Sequence, residues 1–155
     1  MARLCAITVV IAALASLVVA THPTALAGGK LDPVKVQASL SKPDSGGKQT
    51  VTVQLTIDKG WHLYANPVDH EDLAGGETVV AIKADGKPVD AKIKYPAGKS
   101  HTEKAIGTFK IYEGNVTIQA ELAKAAATPL EVSVKFQACD ANRCLPTRTI
   151  KVNVP

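Results

Sequence analysis

Aromatic side chains are scarce in this 155-residue chain: one Trp, two Phe and three Tyr. Any core must therefore be built from Val, Ile, Leu and Ala. No stretch carries a long helical period, which argues against a helical bundle. Basic runs are missing as well. The net charge is +4, but the lysines are scattered and no aromatics are interleaved with them. That pattern describes a solvated surface and excludes a nucleic-acid face. There is no His-x3–5-His spacing and no second cysteine pair, so a zinc site lacks ligands. His62, His70 and His101 have no spacing that would bring them to copper with the thiolates. The serines stand alone in polar segments, without the nucleophile–base set a hydrolase needs. No cofactor or metal is expected.

One long apolar run is present, at the start. Arg3 supplies a positive charge, and residues 4–20 follow as a 17-residue uncharged run that is apolar apart from Thr8 and Ser16. Small residues then offer cleavage after Ala20 or after Ala27. We read residues 1–27 as an export signal cut after Ala27, with an uncleaved anchor as the alternative. Cys5 lies too early in the run for lipidation and leaves with the leader. The mature chain, residues 28–155, is then one domain with two cysteines in an oxidising compartment. Its charge falls to +3 with the loss of Arg3. It has no further segment long enough to span a membrane and is expected to be soluble.

The rest of the chain reads as β-structure. Residues 34–40 alternate, and residues 50–58 alternate most clearly, with Val51, Val53, Leu55 and Ile57 on one face. Continuing that parity puts Trp61 and Leu63 inward and His62 and Tyr64 outward. Residues 68–76 and 96–105 read as polar loops. Residues 78–84 and 91–95 flank a strong turn at Asp85-Gly86-Lys87-Pro88. Residues 107–112 and 116–122 read as a hairpin joined by Glu113-Gly114-Asn115. Residues 123–128 form a helical turn or a linker. Residues 131–138 and 149–154 alternate again. About nine short strands with frequent turn residues predict an all-β fold, an antiparallel β-sandwich of immunoglobulin-like type.

The two remaining cysteines, Cys139 and Cys144, have four residues between them and lie between the last two strands. Asp140-Ala141-Asn142-Arg143 is polar and turn-prone. The pair bridges the mouth of a hairpin, with Cys139 on the polar side by parity. Two readings stay open on these residues. A bridge closing so short a loop stabilises by only about 2 kcal/mol, a poor staple. Short exposed bridges exchange with other thiols. Secreted proteins nonetheless carry many inert disulfides. Arg143 can favour a thiolate electrostatically, although an exposed turn arginine is usually only solvated.

Three pieces now stand in order: Gly60-Trp61-His62-Leu63-Tyr64-Ala65-Asn66-Pro67, the Tyr95-Pro96 step, and Phe136-Gln137-Ala138-Cys139-Asp140-Ala141-Asn142-Arg143-Cys144-Leu145-Pro146. Together they resemble the amino-terminal periplasmic domain of the thiol:disulfide interchange protein DsbD and its relatives, over about residues 31–154. The resemblance implies an immunoglobulin-like fold and a redox-active pair, Cys139 and Cys144. It implies thiol–disulfide exchange between a thioredoxin-like partner, or a DsbD-type membrane reductase, and disulfide-bearing proteins of the periplasm, cytochrome c maturation factors among them. It also implies a cap loop over the disulfide, matched here by Glu103-Lys104-Ala105-Ile106-Gly107, with His62 and Tyr64 lining the same site. Glu103 could assist proton transfer there. By analogy the later cysteine, Cys144, is the one attacked.

The chain departs from the family in places. Ala105 and Ile106 stand where the best-studied cap carries aromatics, so a weaker shield is expected. Thr147 stands where a second proline often follows Leu-Pro. Neither a membrane segment nor a thioredoxin-like domain is found in the sequence, so the electron source is expected to be a separate protein. The competing class is a non-catalytic binding module with an inert bridge.

Overall fold

The computed structural model describes residues 32–155, residue 127 excepted; the expected leader, with Cys5 and both cleavage sites, lies outside the described residues. The strands in chain order are β1 (Val34–Leu40), β2 (Gln49–Ile57), β3 (His62–Tyr64), β4 (Val79–Ala84), β5 (Lys87–Pro88), β6 (Ala91–Lys94), β7 (Lys99–Glu103), β8 (Gly107–Tyr112), β9 (Asn115–Leu122), β10 (Leu130–Phe136), β11 (Ala138–Cys139) and β12 (Arg148–Val154). A single 3-10 turn, Glu71–Leu73, interrupts the loop after β3. The all-β, immunoglobulin-like expectation is borne out, with twelve strands among the described residues where about nine were expected. The added strands are short or polar, so they carry little pattern to read.

Three antiparallel four-stranded sheets result: β1-β2-β9-β6, β12-β10-β4-β5 and β11-β3-β8-β7. The first two share one apolar cluster. Val51, Val53, Leu55, Ile118 and Ala120 come from one sheet and Val80, Ile82, Val132 and Val134 from the other. β2 and β10 place every second residue in the cluster. Phe136 and Tyr112 are the buried aromatics here, and Trp61 packs half-buried against the cluster, in line with its expected inward face.

The third sheet lies where β10 gives way to β11. A smaller cluster of Tyr64, Val68, Phe109, Ile111 and Cys139 forms there, with Leu73 and Ile106 packed on it.

Two connections differ from the sequence reading. Residues 107–112 and 116–122 are both strands, but they do not pair. β8 pairs with β3 and β7, and β9 pairs with β2 and β6. Glu113-Gly114 carries the chain from one sheet to another, and the Gly114 carbonyl accepts from the Ile57 N–H at 2.8 Å. Turn residues specify that the chain bends, and partner choice is settled by which faces must be buried. The polar loop expected at residues 96–105 contains β7, paired with β8 from Lys99↔Ile111 to Glu103↔Gly107. Lys-Ser-His-Thr-Glu shows no alternation because this edge strand is held by ladder hydrogen bonds with little burial. At the expected turn, Asp85 and Gly86 both take positive φ, 48° and 75°, which closes the tight β4–β5 hairpin. Residues 123–126 and 128–129 form a linker.

Candidate functional site

The β10 strand stops at Phe136, and Gln137 breaks the ladder. Its side-chain Nε2–H donates to the Leu145 carbonyl at 3.1 Å, and the Leu145 N–H donates to the Ala138 carbonyl at 2.8 Å. Past this break the chain joins the third sheet, where Ala138 pairs with Leu63 and Cys139 with His62. The turn that follows is built by Asp140. Its Oδ1 accepts from the N–H groups of Asn142 and Arg143, at 2.8 and 3.0 Å. Those bonds, Asn142 foremost, hold the carboxyl below its usual range. The turn returns Cys144 opposite Cys139, and the two sulfurs are bonded at 2.02 Å.

The bridge is asymmetric. Cys139 is 2% exposed, whereas Cys144 lies open to solvent. The parity expectation for Cys139 is therefore corrected. The ladder break moves it to a sheet whose outer face is also covered. His62 and Tyr64 are corrected for the same reason: all three residues of β3 are buried, at 8% and 7% for these two. What covers them is the β7–β8 hairpin. Its Phe109 packs edge-on to Tyr64 at 5.8 Å between ring centres and to His101 at 5.2 Å. Ile106, in the turn, lies against the Cys139 cluster, and Ala105 is exposed beside it.

The polar groups near the sulfurs are few. The Tyr64 hydroxyl sits 3.8 Å from each sulfur, and with the bridge closed only the hydroxyl can donate. Burial, and secondarily the Glu103 carboxylate, raises the Tyr64 pKa, so the phenol keeps its proton. His62 and His101 lie ring to ring, 5.2 Å apart, and His101 Nε2 is 3.5 Å from Glu103 Oε1. Burial first, and then His101, lowers the His62 pKa; Glu103, Glu113 and Asp140 pull it back upward. Arg143 is exposed with its Nε 3.7 Å from Asp140 Oδ2, and among the described residues no hydrogen bond joins it to either sulfur.

The chain matches the family described as thiol:disulfide interchange protein DsbD, N-terminal, over residues 31–155. It belongs to the DsbD amino-terminal domain family. Three solved structures share its fold. The N-terminal periplasmic domain of ScsB from Proteus mirabilis is 19% identical, with a TM-score of 0.56, covering 77% of this chain and 44% of that one. This chain thus spans less than half of that protein's chain. The Neisseria meningitidis DsbD N-terminal domain in the reduced form is 16% identical, with a TM-score of 0.51 and coverages of 75% and 82%. The complex of the DsbD N-terminal and PilB N-terminal domains from Neisseria meningitidis gives 15% identity, a TM-score of 0.55 and coverages of 79% and 85%. A comparison with curated protein sequences returns no match.

For a DsbD-family domain the site thus gathers Cys139, Cys144, His62, Tyr64, Glu103 and Ile106 at one end of the sandwich. Sequence reasoning missed three participants. Phe109 read as an ordinary strand residue, His101 lay in an expected loop, and His70 had been weighed only for copper. The Nε2 of His70 lies 2.9 Å from the Ile106 carbonyl. Only the strand pairing of residues 99–103 would have pointed to the first two.

Proposed function

We propose that the chain carries out thiol–disulfide exchange at Cys139 and Cys144, relaying reducing equivalents to disulfide-bearing proteins of the periplasm. Its electron source is a thioredoxin-like redox protein or a DsbD-type membrane reductase. The observation that carries this reading is the asymmetric bridge: one cysteine exposed, its partner buried beneath the β7–β8 hairpin, in a chain of this family.

The reaction needs no cofactor. A thiolate of the reduced partner attacks Cys144 Sγ, the accessible sulfur. The S–S bond breaks, and its electron pair leaves on Cys139 Sγ. The partner's second thiolate then attacks the partner sulfur of the mixed disulfide and releases Cys144 as a thiolate. Two electrons have moved, and the partner holds the disulfide; the reverse sequence reduces a substrate. Tyr64, 3.8 Å from the departing Cys139 sulfur, is placed to donate its proton in a hydrogen bond to the new thiolate. Glu103, against His101 on the cap, is the candidate acid–base group. Ala105 and Ile106 form the lid edge that a partner must displace. Arg143 favours the thiolate only through its field, which its ion-pair partner Asp140 partly offsets.

The ScsB relative is a periplasmic domain, which supports the same compartment here; a leader of residues 1–27, removed after Ala27, rests on the charge and apolar run of the sequence. The complex of a DsbD N-terminal domain with a PilB N-terminal domain supports a partner protein for this chain.

Two measurements test the reading. The bridge should equilibrate with glutathione-range couples; a potential well below about −300 mV marks a structural staple. A Cys139→Ala variant should accumulate a mixed disulfide through Cys144, and a Cys144→Ala variant should not.

A further inference from the structure

We propose that His70 is the latch that holds the cap turn over the disulfide. The inference rests on the exchange reading for its purpose, but its geometry stands alone. His70 lies in the loop after β3, 36 residues from the turn it meets. Its Nε2 is 2.9 Å from the Ile106 carbonyl oxygen. A carbonyl only accepts, so Nε2 carries a proton in this contact. Nδ1 is buried and has no partner among the described residues. The ring therefore makes one polar contact, and that contact is to the cap.

The cap turn is closed at its base by the Glu103↔Gly107 pair of the β7–β8 ladder and by the Thr102–Thr108 hydroxyl contact at 2.9 Å, and the tip beyond them has few polar contacts among the described residues. Within the turn the Ile106 N–H reaches the Glu103 carbonyl at a long 3.3 Å. Gly107 follows with φ of 105°, a conformation that suits glycine, and a Cβ there would sit 3.7 Å from His70 Nε2. The latch itself is mounted firmly. Val68, two residues before it, is buried in the Tyr64–Cys139 cluster, and its carbonyl accepts from the Lys110 N–H at 2.8 Å. The bond from His70 fixes the Ile106 backbone, and the Ile106 side chain lies on the cluster that contains Cys139. One hydrogen bond thus connects the loop after β3 to how much water reaches Cys139, the sulfur that leaves as a thiolate when Cys144 is attacked.

The test is the rate at which excess dithiothreitol reduces the oxidised full chain. His70→Leu keeps the bulk and removes the donor. It should speed reduction about threefold to tenfold, the span set by one net hydrogen bond. The midpoint against glutathione should not move. His70→Gln, whose amide can reach the same carbonyl, should return the rate toward that of the unmodified chain. Equal rates for His70→Leu and the unmodified chain overturn the latch, as does a His70→Gln variant as fast as His70→Leu. Nitrogen-15 shifts of His70 in the unmodified chain give a reading that no folding defect can blur: the Nε2–H tautomer supports the latch, and the Nδ1–H tautomer overturns it. A failed exchange reading shows up separately, as an unmodified bridge too reducing for glutathione, while the rate comparison still decides the latch.

Discussion

β2 and β3 are separated by only four residues, yet they obey different rules. Along β2 burial alternates, with Val51, Val53, Leu55 and Ile57 in the core and Thr52, Gln54 and Thr56 outside it. Along β3 every residue is buried. The body of the sandwich has one wet face per sheet, so parity tells inside from outside. At the far end the β7–β8 hairpin folds over the outer face of β3 and β11 and makes a second interior. The body carries stability through aliphatic packing. The covered end carries a sulfur pair with a phenol, imidazoles and a few charged groups around it.

The largest test of this division removes the chemistry. Cys144→Ser should abolish exchange altogether, followed as reduction of a model disulfide. The stability lost should be only about 2 kcal/mol, because the closed loop is so short. A cost far above that in denaturant titration would make the bridge part of the body.

The converse change lies in the body. Ile118→Ala opens a cavity between the two large sheets and should cost about 2–5 kcal/mol. Exchange per folded molecule should stay as it was, and a matching drop would break the comparison.

Within the covered end, Tyr64→Phe removes the hydroxyl near both sulfurs. Exchange should slow about twofold to tenfold, with the thermal midpoint little changed. An unchanged rate would reduce Tyr64 to packing.

The smallest effect is in pH. His62 has a pKa lowered from 6.5, by burial first and by His101 second. It faces Glu103 and His101 from β7, Glu113 beyond β8 and Asp140 beyond β11. The unfolded chain therefore takes up this proton first as pH falls. Stability from His62 is full above about pH 6.5 and declines below it. The thermal midpoint should fall between about pH 7 and 5, and fall less in His62→Gln. Equal slopes would place the charge elsewhere.

How much of this was legible follows from what each segment shows in its residues. The strands of the body announce themselves because one face is apolar and the other is not. The cysteine pair and its polar turn read directly, since Asp140 builds that turn with neighbours in sequence. β7 did not read, because Lys99-Ser100-His101-Thr102-Glu103 has nothing to alternate. The break at Gln137 was hidden inside a pattern that continues smoothly to Ala138. His70 and Ile106 meet across 36 residues, and no local signal connects them.

By itself the sequence determined an antiparallel sandwich, its alternating strands and a pair of sulfurs at the mouth of the last ribbon. These depend on short-range periodicity and turn chemistry. Only the tertiary structure decided that β8 and β9 part company, that Cys139 is buried while Cys144 is open, and that an imidazole reaches the cap. Those outcomes depend on which surfaces cover which, and coverage is a property of distant segments meeting in space.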